Sequence, residues 1–255
     1  MSEEKAGQRA GGAATAWYII PSNNYLARWV NTIHLPYTVW HLSYVVFGAA
    51  LAPALRWDVL GWALLAFFLG MGVAAHCFDL MMGDPLALRL PRRHLVLVGA
   101  ISLFLAANVG AANLYWGNVP GWMSWLMLAG LLIVVGYNLE IRGMHGDAQF
   151  ALFWGVFPFV VGYLAMGGGS PLILVLGAAY CFLTSWAQRV LSTRARYLRR
   201  KVRHAIVWLS ERGGLTLEPP AGGVPWLLKP VDQALMLLSF AMPVLAATLL
   251  LWRTI

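Results

Sequence analysis

The chain has 255 residues, 60% of them hydrophobic and 11% charged, with a formal net charge of +8. A soluble domain is about a quarter charged, so this composition excludes water as the protein's only solvent. It also argues against a disulfide framework, because Cys77 and Cys181 both lie in apolar runs, where a free thiol behaves as a small hydrophobe.

In chain order, residues 1–30 read as a polar, Gly/Ala-rich tail, disordered at its start and interfacial from Trp17 to Trp29. The tail lacks the basic start and immediate apolar run of a signal peptide. Residues 31–255 read as one transmembrane helical domain. Seven apolar runs, about 36–54, 58–80, 93–112, 121–139, 149–168, 171–188 and 233–252, are each long enough to cross a hydrocarbon core of about 30 Å. The expected fold is an all-α polytopic bundle of about seven spans. Between the sixth and seventh runs, 189–229 reads as a cytoplasmic basic segment. Leu198, Val202, Ala205 and Leu209 recur at helical spacing there, while Arg196, Arg199, Arg200 and Arg203 fall elsewhere. That pattern predicts an amphipathic helix lying on anionic lipid headgroups.

The placement of charge predicts orientation and argues against nucleic acid as a partner. Arg89, Arg92 and Arg93 follow the second run, Arg142 the fourth, and Arg189 to Arg212 the sixth. The alternate loops at 114–122 and 167–171 carry no formal charge. By the positive-inside rule, the N-terminus is cytoplasmic and the C-terminus outside, as in a bacterial or archaeal cytoplasmic membrane.

The few ionisable residues near the runs fall on that cytoplasmic side. His34 and His41 are two helical turns apart on one face. His76 and Asp79 stand at i and i+3, with Asp84 just beyond. Glu140, His145 and Asp147 follow the fourth run. Ionisable groups at membrane depth are costly and mark functional sites, and imidazoles with carboxylates are the usual ligands of divalent cations. The candidate metal ligands are His41, His76, Asp79, Glu140, His145 and Asp147. The plainer readings stay open: Asp147 as a helix cap, Asp84 as a turn residue, and His–carboxylate pairs that only join helices.

Three stretches carry a resemblance. HLPYTVWHLSYVVFGAALAP (34–53) is similar to the first span of UbiA-type intramembrane prenyltransferases. AAHCFDLMMGDPL (74–86) resembles the place of that family's first Asn/Asp-rich motif, and Tyr137 to Arg142 resembles its Tyr-Pro-x-x-Lys-Arg connection. Residues 185–204, where the second Asp-rich motif would fall, contain no acid.

The resemblance implies a bundle with a central cavity open to the cytoplasm, in which Mg²⁺ held by Asp residues binds a prenyl diphosphate. Asp79 and Glu140 would then be catalytic, and Tyr137, Arg142 and Arg189 would bind substrate. The expected function is a metal-dependent transferase acting on an isoprenoid or other lipid diphosphate. The alternatives are a membrane hydrolase or oxidase with a Zn or Fe centre, and a non-enzymatic membrane subunit or lipid-binding protein.

Overall fold

The computed structural model describes residues 16–21, 24–84, 86–205 and 223–255. Among these, the regular structure is helical, and each of the seven predicted runs coincides with a helix. α1 (Tyr25–Thr32) is a short helix capped by Asn24, whose side chain accepts from the Leu26 N–H. The larger elements are α2 (Leu35–Leu51), α3 (Trp57–Met82), α4 (Arg92–Tyr115), α5 (Met123–Asn138), α6 (Asp147–Ala165), α7 (Pro171–Lys201) and α8 (Gly223–Trp252). Five of them, α3, α4, α6, α7 and α8, are long and apolar enough to cross a membrane. α2 and α5 have 17 and 16 residues.

The bundle is apolar outside as well as inside. Phe104, Trp125 and Leu183 are 67%, 73% and 66% exposed, an arrangement that only a hydrocarbon solvent stabilises. Association between helices in that solvent depends on close packing. Gly48 of α2 lies against the Phe159 carbonyl of α6, and Gly162 of α6 lies against the Val45 carbonyl of α2. A Cβ at either would overlap the other backbone. Trp40, Tyr44, Phe159 and Tyr163 fill the core beside this crossing.

Two helices contain a π-helical stretch, Phe68–Ala74 in α3 and Ala151–Val156 in α6. The second has a local cause. Pro158 has no N–H to donate to the carbonyl four residues back, that of Trp154, and its ring crowds the preceding turn. The Trp154 carbonyl instead accepts a hydrogen bond from His41 Nδ1–H at 2.9 Å, which ties α6 to α2.

α7 corrects the expectation for the basic segment. It is one helix of 31 residues, about 46 Å long at 1.5 Å per residue, so residues 189–201 continue the sixth run instead of forming a separate surface helix. Their apolar stripe is not free to lie on lipid, because Ala195 and Leu198 pack against Val224, Leu228 and Leu235 of α8. Arg199 also pairs with Asp232 of α8 through contacts of 2.5 and 2.6 Å. Residues 206–222, including Leu209, lie outside the described residues, as does the start of the predicted tail, 1–15.

Candidate functional site

One end of the bundle collects the polar residues. α2, α4, α6 and α8 begin there and α3, α5 and α7 end there, so loops at 83–91 and 139–146 and the basic end of α7 share it. All four non-glycine residues with positive φ among the described residues, His34, Ala87, Arg89 and Glu140, are at this end. Left-handed backbone costs a residue with a Cβ about 1–2 kcal/mol.

Asp79, near the end of α3, is half-buried and makes no hydrogen bond or ion pair with the described residues. It lies within electrostatic reach of Arg196, His145, Glu140 and Arg200. Glu140 is placed by the end of α5. The Ile141 N–H bonds to the Gly136 carbonyl at 2.9 Å and the Glu140 N–H to the Tyr137 carbonyl at 3.2 Å. This is a Schellman ending with Glu140 at φ 53, a position that ordinarily takes glycine. His145 donates from Nδ1 to the Tyr137 carbonyl at 3.0 Å and stacks on the Tyr137 ring at 4.6 Å. Both His41 and His145 thus have Nδ1 committed to a carbonyl, which leaves Nε2 as the available lone pair of the neutral ring.

Tyr137 is 4% exposed, and its hydroxyl has no hydrogen-bond partner among the described residues. The same is true of Ser185 Oγ and Gln188 Oε1 on the inner side of α7. Each buried, unpaired polar atom costs about 1–3 kcal/mol, so each calls for a polar partner such as water or a ligand. Arg189 itself bonds Asp147 at 2.7 Å and lies over the Phe150 ring at 5.3 Å. Asp147 is the first residue of α6 and its side chain caps no N–H.

His76 and His34 form a separate pair, with rings 4.6 Å apart. The Thr38 hydroxyl donates to the Ile33 carbonyl at 2.5 Å, so toward His76 Nε2, 3.4 Å away, it serves as acceptor. His34 Nε2 is buried without a hydrogen-bond partner among the described residues. Burial first, and the charge of Arg200 second, lower the His34 imidazole from its ordinary 6.5 to about 4. Between those values the unfolded chain holds a proton that the folded protein does not, so stability falls as pH drops from about 6.5 to about 4. His34→Asn, which tolerates the left-handed backbone, is expected to reduce that slope in thermal unfolding measured across the window.

The fold therefore brings Asp79, Glu140, His145, Tyr137 and Arg189 to one mouth. Four expected members stand apart, His76 in its pair with His34 and three others. His41 bonds Trp154 and contacts the Phe150 ring at 5.7 Å, so Phe150 and Tyr137 separate it from His145. Arg142, expected to face a diphosphate, sits on the exposed turn created by Glu140 and by Gly143 at φ 85, with no hydrogen bond or ion pair among the described residues. Asp84 accepts from the Leu88 and Arg89 N–H groups at 2.9 and 2.7 Å, which makes it the turn residue of the α3–α4 loop. Arg196 and Arg200 are the arginines within electrostatic reach of Asp79. Their spacing from Arg189, seven and eleven residues, already put all three on one face of a helix.

Above this mouth, a groove of about 340 Å³ opens between α3, α4, α5 and α6. Its walls are apolar and rich in small residues, including Ala66, Gly70, Ala106, Gly110 and Gly130. It descends to Met71, Val134 and Trp154, which share a core cluster with Tyr137.

Fold and site together define an integral membrane bundle with a cationic, carboxylate-bearing mouth at one end and an apolar groove between α3, α4, α5 and α6 whose lining includes none of the mouth residues. Comparison with protein-family models, with curated proteins and with solved structures finds no match to this chain.

Proposed function

We propose that this protein is an intramembrane transferase that acts on a prenyl or other lipid diphosphate at the cytoplasmic face. The observation that carries the reading is Asp79: a half-buried carboxylate with no hydrogen bond or ion pair among the described residues, within electrostatic reach of Arg196 and Arg200. On this reading all seven long helices cross the membrane, α2 and α5 being close to the minimum of about 17 residues. The basic loops then put the mouth in the cytoplasm and the C-terminus outside. The resemblance of residues 34–53, 74–86 and 137–142 to UbiA-type prenyltransferases supports the same assignment.

The residues suit a magnesium ion better than zinc or iron. Among the described residues no three His, Cys, Asp or Glu side chains are grouped to hold a metal, as a zinc site would need. Mg²⁺ is commonly held by one or two carboxylates with substrate phosphate completing its shell. Asp79 and Glu140, within reach of each other's charge, would hold it, and it would neutralise the diphosphate leaving group. Arg196, Arg200 and Arg189 grip phosphate oxygens through charge-assisted hydrogen bonds, the Tyr137 hydroxyl donates to one of them, and the groove buries the chain.

Glu140 provides the test. Its left-handed backbone would be relieved by Glu140→Gly, which is expected to raise thermal stability by about 1 kcal/mol. Binding of geranylgeranyl diphosphate by the same variant should lose its Mg²⁺ dependence and weaken about tenfold. Unchanged Mg²⁺-dependent binding would remove Glu140 from the site, and no binding by the wild type would remove the reading itself.

A further inference from the structure

Residues 16–21 lie at the same end of the bundle, over the start of α2, and are held there specifically. The Ile20 backbone is paired in both directions with the Asn31 side chain: its N–H donates to Oδ1 at 2.9 Å and its carbonyl accepts from Nδ2 at 3.0 Å. Asn31 is 5% exposed, so its amide is committed to this contact. Tyr18 sits edge-on to His34 at 5.5 Å and to Tyr37 at 5.1 Å, and Trp17 reaches Phe240 of α8 at 6.3 Å. The segment thus bridges the start of α2 and the body of α8. Tyr18 lies in the field of Arg199, Arg200 and Arg196, and two of these, Arg196 and Arg200, are the arginines that face Asp79. Burial pushes the Tyr18 hydroxyl up to about 12. Against it lie His34, held in the left-handed region with Nε2 unpaired among the described residues, and Tyr37.

We propose that residues 16–21 are a strap that closes the mouth, and that its release from Asn31 admits the water-soluble reactant or lets the cleaved headgroup leave. The closing contact stands on the geometry alone; what passes beneath it rests on the headgroup reading above. A tie made of two hydrogen bonds to one side chain suits this task, since each contributes about 1 kcal/mol net and both are lost together when the strap lifts. Covering a reaction from water and reopening for release is the usual work of such segments.

The test uses the full chain in lipid nanodiscs. Tyr37→Cys places a thiol beside the strap, and its labelling by a charged maleimide reports opening; protein with Tyr37 intact supplies the background from Cys77 and Cys181. Asn31→Ala is expected to raise the labelling rate roughly tenfold, and Asn31→Asp, which keeps the acceptor for Ile20 N–H, by less. A reducible crosslink between Trp17→Cys and Phe240→Cys should slow labelling below the parent rate, and reduction should restore it. Equal rates in all these proteins would overturn the strap. So would an equal acceleration at Ser102→Cys, a buried α4 position far from the strap, because that would show Asn31→Ala loosening the whole bundle. Inorganic diphosphate then separates the two claims. Labelling that responds as expected with no diphosphate binding in any form keeps the strap and removes the headgroup reading. Binding that is as fast in the crosslinked protein as in the reduced one overturns the strap as a gate.

Discussion

Asp79→Asn is expected to lower turnover of a lipid diphosphate by at least about 100-fold while leaving thermal stability unchanged or higher. The two halves of that result come from the same geometry. A carboxylate taken out of water without a hydrogen-bonded partner is a cost to the fold, and Asp79 has arginines in its field but none in contact. Asparagine keeps the shape and removes the charge, so folding gains or is indifferent. On the proposed reading, Asp79 would help hold a cation that neutralises the leaving group, an electrostatic term realised where charge develops, and losing one such element typically costs about 10²–10³ in rate. Circular dichroism melting in detergent and a radiolabelled transfer assay measure the two sides. Lowered stability with any residual activity intact would make Asp79 a helix-joining residue and favour the non-enzymatic reading.

Gly162→Val is expected to destabilise the bundle by more than about 3 kcal/mol. Overpacking a core ordinarily costs about 1–3 kcal/mol, because side chains can shift. Here the obstruction is the backbone of Val45, and the reciprocal Gly48 meets the backbone of Phe159, so relief requires moving α2 off α6 as whole helices. That movement would empty contacts of Trp40, Tyr44, Phe159 and Tyr163 and carry His41 away from the Trp154 carbonyl. Gly61, also inside a helix, has nothing within 4 Å of an added Cβ, and Gly61→Ala should stabilise by about 0.5–1 kcal/mol. Unfolding by SDS titration compares the pair; equal behaviour would show that the α2–α6 crossing is not what holds the bundle together.

The sequence by itself determined where helices form and which end of them is polar. Runs of apolar residues at least as long as a membrane crossing leave the backbone no alternative to satisfying its own hydrogen bonds, so seven helices stand at the seven runs. Loop charges placed Asp79, Glu140 and His145 at a common depth, because helix length converts chain position into depth.

Only the tertiary structure decided what faces what. A stripe of Leu198, Val202 and Ala205 beside arginines suits a lipid surface or another helix equally well, and the choice of α8 depends on Val224, Leu228 and Leu235 arriving from a distant part of the chain. Arg142 and Arg196 are equally good phosphate ligands by type. The left-handed turn at Glu140 leaves the first on an exposed loop, and the unbroken length of α7 brings the second within reach of Asp79. Asn31 carries no motif, and its role in holding residues 16–21 follows from a pairing of side chain with backbone eleven residues away. Depth is a one-dimensional quantity that a sequence encodes; azimuth around the bundle is set by packing, and the site's chemistry depends on both.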